Sequence, residues 1–218
     1  MPALRPWRTL PQRAWKRARL EWILRWRIPA YTTIEGWLNG DQAAALYELA
    51  AAVPAGRSVV EIGSWKGRST YCLARGLRGG RVIVIDPFDA SGDSESAAGY
   101  AELRGGQPLI DQFRGNMARL GVSDRIDLRP GFSRDFVGRV PAGYGLLFID
   151  GDHSLAGCRF DFENFAPGLA AGGYLCLHDF DPARPDFGPT WVVNHLVQPS
   201  GQYRFLRQAG TLWIGQKR

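Results

Sequence analysis

Five short apolar runs, Ser58–Ile62, Arg81–Asp86, Arg125–Leu128, Gly145–Asp150 and Tyr174–His178, recur at intervals long enough for a crossover helix, and two more follow with only two residues between them. Strands that alternate with helices form a parallel sheet wound on both faces, because a right-handed crossover returns each strand beside an earlier one. The last two runs, Tyr203–Gln208 and Thr211–Gln216, are separated by Ala209-Gly210, a hairpin spacing that requires antiparallel partners. The spacing therefore predicts an α/β fold, a doubly wound and mostly parallel seven-stranded sheet closed by a reversed C-terminal hairpin strand.

The 218 residues suffice for one such domain with a core of its own and an appendage, which we divide as residues 1–30 and 31–218. Cys72, Cys158 and Cys176 form no C-x-x-C pair, as expected in a reducing compartment. No apolar run approaches a membrane span and the N-terminus lacks a secretory h-region, so the expected location is cytoplasmic.

The net charge of +6 is uneven. Residues 1–30 hold eight Arg or Lys against Glu21 alone, which leaves the remainder near neutral. A basic appendage on a neutral body argues against a nucleic-acid partner. The same segment carries Trp7, Trp15, Trp22 and Trp26 and reads as one basic, Trp-rich amphipathic helix between Pro11 and Pro29. Such a helix suits three roles: packing on its own domain, a homo-oligomer contact, or peripheral contact of residues 5–28 with the inner face of a membrane. Further on, Asp41 is the expected N-cap of a helix Gln42–Val53, Pro87–Gly106 reads as a loop or lid, and Pro189–Val197 as a helix.

The first strand runs into Glu61-Ile-Gly-Ser-Trp-Lys-Gly67 and then a helix. Glycines let backbone approach a ligand, and the helix N-terminus offers unpaired N–H groups to an anionic group. Asp86 ends the second strand nineteen residues after Gly67, where such folds place an acceptor for ribose hydroxyls. The turn reads E-x-G-x-x-x-G, departing from the dinucleotide G-x-G-x-x-G, and an acid facing it favours a ligand with an ammonium group.

These residues resemble the first motif of class I S-adenosylmethionine-dependent methyltransferases, a Rossmann-like family whose sheet also ends in a reversed strand; the resemblance runs from about Ile34 to the C-terminus. It implies S-adenosylmethionine as cofactor, with Glu61, Gly63, Ser64 and Gly67 along its methionine part, Ser69 adding a hydroxyl and Asp86 at the ribose. The adenine position would fall at Gly131-Phe132-Ser133, where Phe132 stands in place of an acid, leaving Ser133 as the polar group.

The fourth and fifth strand runs end Ile149-Asp-Gly-Asp-His-Ser154 and Leu177-His-Asp-Phe-Asp181, delivering acids and two of the three histidines to the rim where open α/β sheets bind ligands. Methyl transfer to a hydroxyl needs in-line positioning and removal of a proton, which a carboxylate, an imidazole or a divalent ion can assist. The motifs look like those of macrolide-sugar and antibiotic-sugar O-methyltransferases, which implies a small-molecule acceptor, a sugar or glycoside. The resemblance further implies a magnesium or manganese ion on Asp150, His178 and Asp179 and a base at Asp152; the residues themselves add His153 and His178 as catalytic candidates, and a place beside the cofactor is the alternative role of Asp150. His178 replaces a carboxylate of those relatives, a change that weakens magnesium relative to softer ions. Trp191, His195, Phe88, Phe180 and Phe187 are candidates for an apolar acceptor wall. Competing readings are a cephalosporin-hydroxylase-like enzyme, a membrane-associated nucleoside-binding protein, and a nucleic-acid methyltransferase, the last disfavoured because the fourth strand lacks an Asn/Asp-Pro-Pro-aromatic signature.

Overall fold

A computed structural model describes residues 12–90 and 97–218. The first eleven residues of the basic segment and residues 91–96 of the expected lid lie outside the described residues. Seven strands form one sheet: β1 (Val59–Ile62), β2 (Val82–Asp86), β3 (Ile126–Pro130), β4 (Tyr144–Ile149), β5 (Leu169–Leu177), β6 (Tyr203–Ala209) and β7 (Leu212–Lys217). Their order is β3-β2-β1-β4-β5-β7-β6. The first five pair in parallel, and β7 runs antiparallel to both β5 and β6, as the hairpin spacing predicts.

Every residue of β1, β2 and β4 is buried, which is why these strands read as mainly apolar runs, with Glu61 within β1 and Asp86 ending β2. The two-residue period divides them between two cores. Val59, Val82, Val84, Leu146 and Phe148 face α2 (Gly40–Ala52), α3 (Arg68–Gly76) and α5 (Leu109–Arg119). On the opposite face Val60, Ile62, Ile83, Ile85, Leu147 and Ile149 meet α6 (Leu155–Phe165), α7 (Gly188–Val192) and the π-helical turn Val193–Val197.

The N-terminal helix α1 (Gln12–Trp22) widens into a π-helical turn, Ile23–Arg27. Ile23 and Ile28 enter the core shared with α2 and α3, and Arg75 donates to the Arg27 carbonyl, while Trp22 and Trp26 remain exposed. Among the described residues no helix is long and apolar enough to cross a membrane.

Three local expectations differ. α2 is capped by Asn39 rather than Asp41: Asn39 Oδ1 accepts from Gln42 N, and Gln42 Oε1 accepts from Asn39 N, a reciprocal box that satisfies two orphan donors. Within Pro87–Gly106, the Ala97–Arg104 stretch forms α4, because its alanines, Glu102 and Leu103 are good helix formers despite the surrounding Gly and Ser. The expected helix Pro189–Val197 is split into α7 and the π turn.

Candidate active site

The C-terminal edge of β1, β2, β4 and β5 opens on a cavity of about 430 Å3, a size suited to a small-molecule ligand. One end is built on the glycine turn. Gly63 has φ +84°, and a Cβ there would lie 2.1 Å from the Asp150 carbonyl oxygen, so no side chain fits where the ends of β1 and β4 touch. The Asp86 carboxylate holds the turn in place: Oδ2 accepts from Ser64 N (2.7 Å), Ser64 Oγ (3.2 Å) and Trp65 N (3.0 Å), and Oδ1 accepts from Phe88 N (2.6 Å). Burial raises the pKa of this carboxyl above its ordinary value, against the opposing pull of those donors.

Gly63, Ser64, Ser69, Asp86, Ser133 and Asp150 all line the cavity. Glu61 and Gly67 stand behind it. The pleat sends Glu61 to the same side as Val59, under α3, where Oε2 accepts from Thr70 Oγ1 at 2.6 Å and Oε1 has no hydrogen-bond partner. Burial pushes its carboxyl up to about 8, against the pull of Ser69 and Thr70, so near neutrality it supplies little charge for an ammonium group. Gly67, at φ +92°, begins α3 and leaves room for Met117 and Phe113, which a Cβ would meet at 2.6 and 3.0 Å.

At the other end, Asp150, His153, His178 and Asp179 converge. His178 Nδ1 is 3.0 Å from Asp150 Oδ1 and 3.3 Å from Asp179 Oδ2, and His153 Nε2 is 3.6 and 3.4 Å from the same two atoms. Neither ring nitrogen of buried His178 is aligned for a hydrogen bond. Burial alone would raise Asp150 and lower His178; the opposite charges outweigh it, so Asp150 is held low and His178 is held high, as a charged pair. Ligand atoms of Asp150, His153 and Asp179 lie within 4.8 Å of one another, a set that has His153 where the sequence led us to expect His178. A donor set that mixes imidazole with carboxylate fits a divalent cation of manganese or zinc type better than magnesium.

Asp152 is exposed on the cavity wall, with Oδ1 accepting from Ser154 N at the start of α6. Of the expected aromatic wall, Phe88 and Phe180 are buried in the two cores, and Trp191 stacks on His195 at 4.6 Å. Phe187 does reach the reaction end, 5.7 Å from His153. The aromatic lining comes instead from Trp37, Trp65, Phe132 and Phe160.

Sequence reasoning missed a strap. Residues 35–38 line the cavity, and Arg68 of α3 anchors them by donating to the carbonyls of Ile34 (2.7 Å) and Leu38 (3.1 Å). Lys66, buried in the glycine turn, adds contacts to Glu35 (3.2 Å) and the Leu103 carbonyl of α4 (2.8 Å). These contacts join residues thirty or more positions apart, beyond the reach of periodicity. Backbone strain also gathers here: the four non-glycine residues with positive φ among the described residues, Trp65, Phe88, Ala90 and Asp179, all lie at this edge.

Comparison with known proteins bears on this geometry. A family model described as a methyltransferase domain matches residues 60–180, which span the turn, Asp86 and the acid-imidazole cluster. An uncharacterised protein of Sinorhizobium fredii, y4gI, is 22% identical over 163 residues, or 74% of this chain; the chain matches 17% of that relative's length. The O-methyltransferase from Bacillus cereus in complex with SAH superposes with a TM-score of 0.59 at 20% identity, covering 92% of this chain and 91% of that one. TomG of Streptomyces achromogenes, an O-methyltransferase involved in tomaymycin synthesis and solved with SAM, gives 0.59 at 18% identity over 83% and 81%.

Proposed function

The chain belongs to the methyltransferase domain family, as a class I S-adenosylmethionine-dependent member, and from that premise we propose that it methylates a hydroxyl of a small-molecule acceptor, a sugar or glycoside. The observation that carries this reading is that one cavity joins the glycine turn to the cluster of Asp150, Asp179, His153 and His178. S-adenosylmethionine supplies an electrophilic methyl carbon, which the acceptor oxygen takes as the carbon–sulfur bond breaks. The chain's contribution is position and proton removal.

Ser64, Ser69, Asp86 and Ser133 supply the polar lining of the cofactor end. At the reaction end, His178 is held charged between two carboxylates and is a poor proton acceptor. His153, beside the same carboxylates and against Phe187, is better placed to accept the hydroxyl proton; Asp152 is turned toward the start of α6. Asp150, Asp179 and His153, with His178 adjoining, would hold a divalent cation, whose chemistry is to lower the acceptor hydroxyl pKa; with a cation bound, His153 would be a ligand and not the proton acceptor. A sugar suits the acidic rim, where Asp152 and Asp179 can accept from several hydroxyls.

The test is formation of S-adenosylhomocysteine from S-adenosylmethionine with a panel of glycosides, free sugars, phenols and amines. Turnover with a glycoside hydroxyl is the expected result. Turnover confined to amines would overturn the O-methyl assignment, and turnover confined to phenols would overturn the sugar class.

A further inference from the structure

Asp161 is a buried acid that the reaction does not use. Cys158, Asp161 and Phe165 form the buried stripe of α6, so an acid occupies a position whose spacing calls for an apolar residue. Asp161 is 3% exposed and lines the cavity. The Ser133 hydroxyl, at the start of the turn that follows β3, shares the cavity wall with it and pulls its pKa down. A Cβ on Gly151, in the loop leaving β4, would lie 3.4 Å from Asp161 Oδ2. β2 and β1 separate β3 from β4, so these groups can meet only over the carboxyl edge of the sheet.

Among the described residues no ion pair compensates this carboxyl. Arg134 also lines the cavity, but its guanidinium sits over the Phe132 ring at 4.2 Å. Burial pushes the Asp161 carboxyl up to about 7, opposed by Ser133 and reinforced by Asp152. Near neutrality the group is therefore present in both forms, able to accept and, when protonated, to donate.

Resting on the reading of this cavity as the S-adenosylmethionine site, we propose that Asp161, together with Ser133, recognises the adenine edge of the cofactor. The exocyclic amino group donates to an Asp161 oxygen, and the adjoining ring nitrogen accepts from the Ser133 hydroxyl. α6 thus supplies the acid that is missing where Phe132 follows β3. A site built around a ligand N–H discriminates against an analogue that lacks it, because the buried partner is left unpaired.

Isothermal titration at about pH 9, where Asp161, raised to about 7, is ionised and can only accept, with S-adenosylhomocysteine and S-inosylhomocysteine, in which a carbonyl oxygen replaces the amino group, tests the assignment. The wild-type protein is expected to prefer the adenosyl compound by about 30-fold or more. Asp161→Ala should weaken the adenosyl compound by about 10-fold and leave the inosyl compound within about twofold. Asp161→Asn, which keeps an acceptor oxygen, should restore most of the preference. Asp161→Leu, similar in size and free of the buried charge, gives the same reading as alanine should that variant fail to fold. Equal loss on both ligands, or a preference that survives both Asp161→Ala and Asp161→Leu, overturns the proposal while the cofactor reading stands. A wild-type protein that binds neither compound removes both.

Discussion

Around Asp86, four donors converge on one carboxylate at 2.6 to 3.2 Å, whereas around Asp150 and Asp179 two imidazoles approach to 3.0 to 3.6 Å and the His178 nitrogens remain out of hydrogen-bond alignment. The first arrangement is complete within the chain: the turn is shaped before any ligand arrives. The second sets a charged imidazole between two acids, an attraction that outweighs their burial, with polar atoms left out of alignment. Strongly shifted groups that face a cavity are the usual sign of a place for chemistry.

Breaking the satisfied end should have the largest effect. Asp86→Ala strands the buried N–H groups of Ser64, Trp65 and Phe88, and is expected to destabilise the protein by about 3–5 kcal/mol, read from urea unfolding. A loss below about 1 kcal/mol would mean that the turn is held by other means. Asp179→Ala should do the reverse: stability within about 1 kcal/mol of wild type, because the residue is partly exposed, but methyl transfer slower by about 100-fold. If a cation is held here, manganese or zinc added to chelator-treated protein raises the melting temperature, and does so less in Asp179→Ala. Chelator-resistant activity with no thermal response to either ion would leave His153 to act alone.

The smallest effect refines the comparison, since one acid at the satisfied end is itself incompletely paired. Glu61 holds its proton to about pH 8 when folded, against an ordinary value of 4.5. Between those limits the folded state binds more protons than the unfolded one, so stability is fullest below about pH 4.5 and falls as pH rises to about 8. Glu61→Gln should flatten that decline by on the order of 1–3 kcal/mol, measured as unfolding free energy from pH 5 to 8. Asp161, raised to about 7, leaves a residual slope of the same sign. An unchanged slope in Glu61→Gln would show that the residue is ionised in the folded protein.

The strands were legible because β1, β2 and β4 are buried on both faces, which compresses tertiary environment into a local apolar run. The cofactor turn was legible because a glycine motif and an acid at a strand end keep fixed spacing. What escaped depended on contacts between distant segments. Nothing near Glu61 signals that its side chain turns under α3, although the two-residue period could have placed it with Val59. The Asn39–Gln42 capping box lay two residues ahead of the expected cap and could have been read from its spacing. Asp161 likewise carried a signal, an acid on a helix's apolar stripe, but its meaning appears only with Ser133 and Gly151 beside it.

The strap tied down by Arg68 has a consequence for how selectivity can diverge. Glu35 to Leu38 precede the first strand and form part of the cavity wall; they touch the glycine turn through Glu35 on Lys66 and Trp37 on Trp65, but none of the four donors on the Asp86 carboxylate comes from them. Substitutions in this short segment can reshape the chamber while the inherited machinery stays intact, provided that the two carbonyls bound by Arg68 keep their places. Transplanting the segment between homologues is expected to change the shape of the cavity while the fold and its turn are kept.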